Sequence, residues 1–136
     1  MAIPSKAIDL ENSIVGLDRN GRARVLSDAS GPPPRIEGYS IGAPVMTREP
    51  PHGGEMHPDG DELLLLLSGR VTILLEDRDP AREVPLAPGE AFIVPRGVWH
   101  RVILSEPSQL LYITPGPGGR HRPARDASTD PGAQEV

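Results

Sequence analysis

Between residues 55 and 114 the chain is a series of short apolar runs, each closed by a glycine- or proline-bearing turn. Residues 62–68 end at Gly69-Arg70, 71–76 at a charged loop over 77–82, and 83–86 at Pro88-Gly89. Residues 91–94 then end at Pro95-Arg96-Gly97, 99–104 at Glu106-Pro107, and 109–114 at Pro115. A chain broken this often has no room for long helices. Strands of this length at such spacing predict an all-β barrel or sandwich. The run Leu63-Leu-Leu-Leu-Leu67 is apolar on both strand faces, a pattern that a sheet wetted on one side does not favour. Residues 91–94 read as a second buried strand.

Outside this block the signal changes. Asn20-Gly21 lies between Ser13-Ile14-Val15 and Ala23-Arg24-Val25-Leu26, a tight-hairpin signature. Ser30-Gly31-Pro32-Pro33-Pro34 then imposes an extended connection, because prolines fix φ and remove donors. Residues 35–46 read as an irregular strand and 49–54 as a loop. The expected organisation is an N-terminal arm over 1–34, a barrel over 35–114, and a Pro/Gly-rich flexible tail over 115–136. The tail has almost no large apolar side chains to offset its ordering entropy. Its basic cluster, Arg120-His121-Arg122 with Arg125, reads as a solvated tail.

A formal net charge of −5 argues against a nucleic-acid or anionic-membrane surface. The absence of cysteine excludes disulfides, thiol catalysis and thiolate metal ligands. No apolar run approaches membrane-spanning length, and the first residues lack the apolar core of a signal peptide. The expected setting is cytoplasmic. Ser68, just before Gly69, is not set in a Gly-x-Ser-x-Gly elbow, and no Walker-type phosphate-binding glycine loop is present.

Metal chemistry is what the polar residues allow. Side chains two apart on a strand share a face with Cα atoms roughly 6.5 Å apart, so Glu55 and His57 can converge on one ion. The turn at Pro58-Asp59-Gly60 brings Glu62 back toward them. His100 begins another strand, sharing a face with Val102 and Leu104, while Trp99 faces away. The plain alternative is a solvated acidic turn formed by Glu55, Asp59, Asp61 and Glu62. His52, on a glycine-flanked loop, and Tyr39 are the candidates for proton transfer. Leu64, Leu66, Ile73, Val102 and Leu104 are the candidate pocket walls.

Two spacings carry a resemblance. His57-x4-Glu62-x6-Gly69 is similar to the latter part of the cupin motif G-x5-H-x-H-x3,4-E-x6-G. Gly89-x5-Pro95-x-Gly97-x2-His100 is similar to the second motif, G-x5-P-x-G-x2-H-x3-N. The region from 53 to 114 resembles a small single-domain cupin, which implies a double-stranded β-helix, or jelly-roll, barrel. Carried over residue by residue, the implied metal ligands are Glu55, His57, Glu62 and His100. Glu55 stands where the first motif has its first histidine, and Leu104 replaces the terminal asparagine. A second carboxylate makes the site harder and less suited to copper, leaving one divalent ion of zinc, iron, manganese or nickel.

The resemblance implies a small organic ligand, and it leaves oxygenase, isomerase and lyase chemistry all open. A non-catalytic binding or sensor barrel, or a degenerate barrel without metal, is the alternative. A homodimer is expected from the way such barrels pair.

Overall fold

The computed structural model describes residues 6–28 and 33–123. Those residues form twelve strands and no helix. The strands are β1 (Ser13–Asp18), β2 (Ala23–Asp28), β3 (Gly38–Gly42), β4 (Val45–Met46), β5 (Glu55–Met56) and β6 (Glu62–Ser68). They continue with β7 (Val71–Leu75), β8 (Arg82–Leu86), β9 (Ala91–Val94), β10 (His100–Leu104), β11 (Ser108–Gly116) and β12 (Arg120–His121). One sheet runs β2-β1-β3-β11-β6-β9, with β4 also pairing to β11. The other runs β12-β5-β10-β7-β8. Every pairing within them is antiparallel. The all-β class expected from the turn spacing, and the two antiparallel sheets implied by the cupin resemblance, are observed.

Period-two alternation puts one face of each strand inside. Glu62, Leu64 and Leu66 of β6 are buried, as are Val71, Ile73 and Leu75 of β7. Leu86, Val94, Val102 and Leu110 complete the core between the sheets. At roughly 1.5–3 kcal/mol for each large aliphatic side chain, this cluster is the main source of stability. Four of the five expected pocket walls, Leu64, Leu66, Ile73 and Val102, belong to that packed core, and Leu104 packs against it. They fill the interior rather than line a cleft.

Several expectations need correction. Strand β9 lies at a sheet edge, so Ala91 and Ile93 are exposed and only Val94 is fully buried. The opposite edge of the other sheet is β8, which carries Pro85; an edge position tolerates its missing donor. On β6 only the inner face is fully buried, while Leu63 and Leu65 are half-buried and Leu67 is exposed.

The Asn20-Gly21 hairpin forms as expected, and β1 continues onto β3. The tail does not begin at 115. Strand β11 continues to Gly116, and β12 pairs with β5. Backbone bonds from Arg122 N to Gly54 O and from Gly53 N to Arg122 O, both 2.9 Å, extend that pairing. The Arg122 guanidinium lies 4.2 Å over the Trp99 ring and pairs with Glu76. Arg120-His121-Arg122 is therefore part of the sheet and not a solvated tail. Arg125 lies outside the described residues. No helix among them is long and apolar enough to cross a membrane.

Candidate metal centre

The four carried-over residues meet between the two sheets. Glu55 on β5 and His100 on β10 are register partners, directly opposite across one sheet. Glu62 enters from β6 of the other sheet, and His57 from the connection between β5 and β6. Ligand atoms of all four lie within 4.8 Å of one another. His57, Glu62 and His100 are buried at 3%, 2% and 1% exposure, and Glu55 is partly open.

Their spacing decides between hydrogen bonding and coordination geometry. His57 Nε2 is 3.5 Å from Glu55 Oε1 and 3.4 Å from Glu62 Oε2, and His100 Nε2 is 3.5 Å from Glu55 Oε1. These separations are too long for good hydrogen bonds. They match the roughly 3.3 Å expected between two ligands about 2.0–2.1 Å from a tetrahedral ion. Only His100 Nε2 to Glu62 Oε1, at 2.8 Å, is a direct bond. Both ring nitrogens of His57 are buried with no hydrogen-bond partner among the described residues. Such a group is costly unless something else binds it. Two imidazoles and two carboxylates are a donor set that zinc, iron, manganese and nickel all accept. The residues fit a divalent ion.

Outer contacts fix two of these side chains. Thr114 Oγ1 donates to Glu62 Oε2 at 2.5 Å, and His100 Nδ1 lies 3.0 Å from the Val98 carbonyl. That carbonyl needs a proton on Nδ1, which leaves His100 Nε2 free to ligate in the neutral ring.

Glu55 is held from both sides. Its Oε1 faces His57 and His100, while its Oε2 is 3.7 Å from His52 Nε2 and 3.4 Å from His121 Nε2. His52, Glu55 and His121 also place ligand atoms within 4.8 Å of one another. However, Gly54 N–H donates to His52 Nδ1 at 3.2 Å, which puts the neutral ring's proton on Nε2, facing Glu55. In this tautomer the His52 N–H faces the carboxylate from 3.7 Å, and that nitrogen has no lone pair to offer a metal.

Charge is balanced inside the cluster. Burial pushes His57 and His100 down, but Glu55 and Glu62 outweigh it and raise them to about 9 and about 10. Burial pushes Glu55 and Glu62 up, and their contacts with His100 and His57 instead hold both below the ordinary carboxylate range. Without metal the centre is two imidazoliums beside two carboxylates. Burial lowers His52, so that ring is neutral at pH 7.

Of the two proton-transfer candidates, the structure brings only His52 to the cluster. Tyr39 pairs with Pro115 on the face opposite Ser40 and Thr114 and is 39% exposed. Tyr112, two residues before Thr114 on its inward face, is the phenol on the site's side. Parity on β3 was unanchored in the sequence, so the face of Tyr39 could not be read there. Thr114 and His121 were also missed. Thr114 could have been found from its place opposite Glu62, one step beyond the Ile113–Leu63 pairing, once the strand order was known. His121 carries no such local signal. The two surface depressions, around Asp18 and Arg24 and around Thr47 and Leu104, share no residue with the cluster.

A family model described as Cupin domain matches residues 45–114. No protein of curated function matches the sequence. Among solved structures, the chain is similar to a cupin-2 domain containing protein from Shewanella frigidimarina, at 24% identity and a TM-score of 0.49 over 61% of this chain and 79% of that one. It is also similar to hydroquinone 1,2-dioxygenase in complex with Cd2+ and 4-hydroxybenzonitrile, at 17% identity and 0.49 over 65% and 68%. Hydroxypropylphosphonic acid epoxidase from S. wedmorenis aligns at 17% and 0.47, over 57% of this chain and 44% of its own. With the family model spanning half of its length and both motifs meeting at one cluster, the chain belongs to the cupin family.

Proposed function

We propose that this cupin holds one divalent cation through Glu55, His57, Glu62 and His100 and presents it to a small organic ligand. The observation that carries this is His57: a buried imidazole with neither nitrogen hydrogen-bonded, aimed at two carboxylates at ligand-to-ligand spacing. A bound cation of this kind supplies Lewis acidity toward a carbonyl or carboxylate oxygen. The chain's own contribution is to orient the donors. Thr114 fixes Glu62, the Val98 carbonyl fixes the tautomer of His100, and His52 and His121 flank Glu55 on its outer side. His52 is the proposed proton donor or acceptor at the mouth. The same barrel without turnover, as a ligand-binding or sensor module, is the second reading.

The pH dependence of stability tests the cation. In metal-free protein, raised His57 and His100 contribute stability that is full below pH 6.5 and is lost as pH rises through about 9 to 10. Depressed Glu55 and Glu62 contribute stability that is present above pH 4.5 and is lost as pH falls. The Tm of metal-free protein should therefore peak between these limits. A cation replaces the two protons, so the Tm gap between metal-loaded and metal-free protein should widen from pH 6.5 to 9. Parallel curves in thermal unfolding would count against the centre.

The homodimer belongs to the same proposal. Leu67 and Ile93, 42% and 59% exposed, are the side chains a second copy would cover. Sedimentation should show Ile93→Glu as a lighter species than the parent. Equal masses would remove this interface.

A further inference from the structure

A partly buried arginine without an acid points to what the site binds. Among the described residues, the arginines paired with a carboxylate are Arg24, Arg82 and Arg122; Arg35 is not one of them. Its Nη1 is buried with no hydrogen-bond partner among the described residues. A guanidinium nitrogen shielded from water without a partner pays desolvation without return. The Arg101 Nε is also buried and unpartnered, but Arg101 alternates with His100 and so faces out of the barrel.

Arg35 lies on the inner side. The inward positions of β3 are Gly38, Ser40 and Gly42, all buried and all small. A Cβ on Gly116 would come within 3.1 Å of the Arg35 Cβ, and one on Gly42 within 2.6 Å of the Tyr112 hydroxyl. Ser40 Oγ donates to the Pro34 carbonyl at 2.6 Å, tying the segment before Arg35 to this face. The guanidinium carbon sits 5.8 Å from the Tyr112 ring centre. Tyr112 is in turn two positions from Thr114, which touches Glu62. One such strand step is about 6.5–7 Å.

We propose that Arg35 and the Tyr112 hydroxyl form the anion-binding end of the site, so that the ligand is a small monocarboxylate with a second oxygen directed at the cation. This rests on the metal reading above. Two carboxylates neutralise a divalent ion held by neutral imidazoles, and the charge of Arg35 is left over for one anion. A guanidinium fork and a phenol recognise a carboxylate by charge-assisted hydrogen bonds.

The test is calorimetric binding of lactate, pyruvate, 3-hydroxybutyrate and 4-oxopentanoate, each against its amide, to zinc-loaded parent, Arg35→Met, Arg35→Lys and Tyr112→Phe. Zinc content and ligand-free Tm are measured on every sample. At least one acid should bind the parent about tenfold or more tighter than its amide does. Arg35→Met should lose that preference with zinc content unchanged, and Arg35→Lys should recover part of it. Ligand-free Arg35→Met should be no less stable than the parent, since it removes an unpaired charge. Acids binding no better than amides, no acid binding zinc-loaded parent, or Arg35→Met matching the parent would each overturn the proposal. So would a loss of ligand-free stability in Arg35→Met, which would mark Arg35 as structurally paired. Zinc absent from the parent would overturn the metal reading as well, and the zinc measurement separates the two failures.

Discussion

Glu62→Gln is expected to weaken divalent-cation binding by more than the roughly 10–100-fold that outer contacts of a metal ligand are worth. Glu62 is 2% exposed, and each of its oxygens already has a partner in place: Oε1 faces His100 at 2.8 Å, and Oε2 accepts from Thr114 at 2.5 Å. An amide of the same shape keeps the volume and loses the charge. On the proposed ligand set the cation then has one carboxylate in place of two, beside side chains largely shielded from water. The metal-free barrel should still fold, because the two imidazoles can shed protons when their counter-charge falls. Titration of metal-free protein with zinc, followed by heat, should show the parent saturating and the variant far weaker. Equal affinity would remove Glu62 from the ligand set. Thr114→Val should fall between the two, within the range for an outer contact.

Gly69→Ala is the second large effect, and Gly89→Ala is its control. Both glycines have almost the same left-handed backbone, φ +89 and φ +90, so both substitutions pay the left-handed penalty of about 1–2 kcal/mol. Their surroundings differ. A Cβ on Gly89 meets nothing within 4 Å. One on Gly69 would overlap the Ser108 hydroxyl and lie 2.5 Å from the Pro107 carbonyl and 2.6 Å from the Ser108 Cα. Ser108 cannot yield easily: it is 1% exposed, accepts from Arg70 N–H at 2.9 Å and donates to the Glu106 carbonyl at 2.8 Å. Gly69→Ala should cost more than about 3 kcal/mol, or abolish folding, with Gly89→Ala near the backbone penalty alone. Urea denaturation of the pair decides it; similar losses would show that the contact at Gly69 relaxes.

These two cases show which parts of the molecule could be read in advance. Gly69, Glu62 and His100 sit at fixed spacings within short strand–turn units, so local sequence carried both the class of fold and the convergence of four donors. What it could not carry were long-range choices. Strand β12 has a composition that predicts no structure, and its place comes from Arg122 on Trp99 and Glu76 together with backbone bonds to Gly53 and Gly54. Those partners are distant in sequence, so His121 beside Glu55 went unseen. Strand β9 looked buried because Ala91, Phe92, Ile93 and Val94 are apolar, but edge position depends on strand order. The face of Tyr39 failed for a related reason: without a fixed neighbour, parity on β3 was a free choice.

Metal content tests the central claim most directly. Untagged protein would be purified without added metal, reconstituted separately with zinc, iron, manganese and nickel, and analysed by elemental mass spectrometry beside His57→Ala and His100→Ala. The account predicts about one equivalent of one of these ions in the parent, lost from both variants while their circular dichroism stays that of the folded barrel. A parent that retains no more metal than the two variants, whichever ion is supplied, would contradict it.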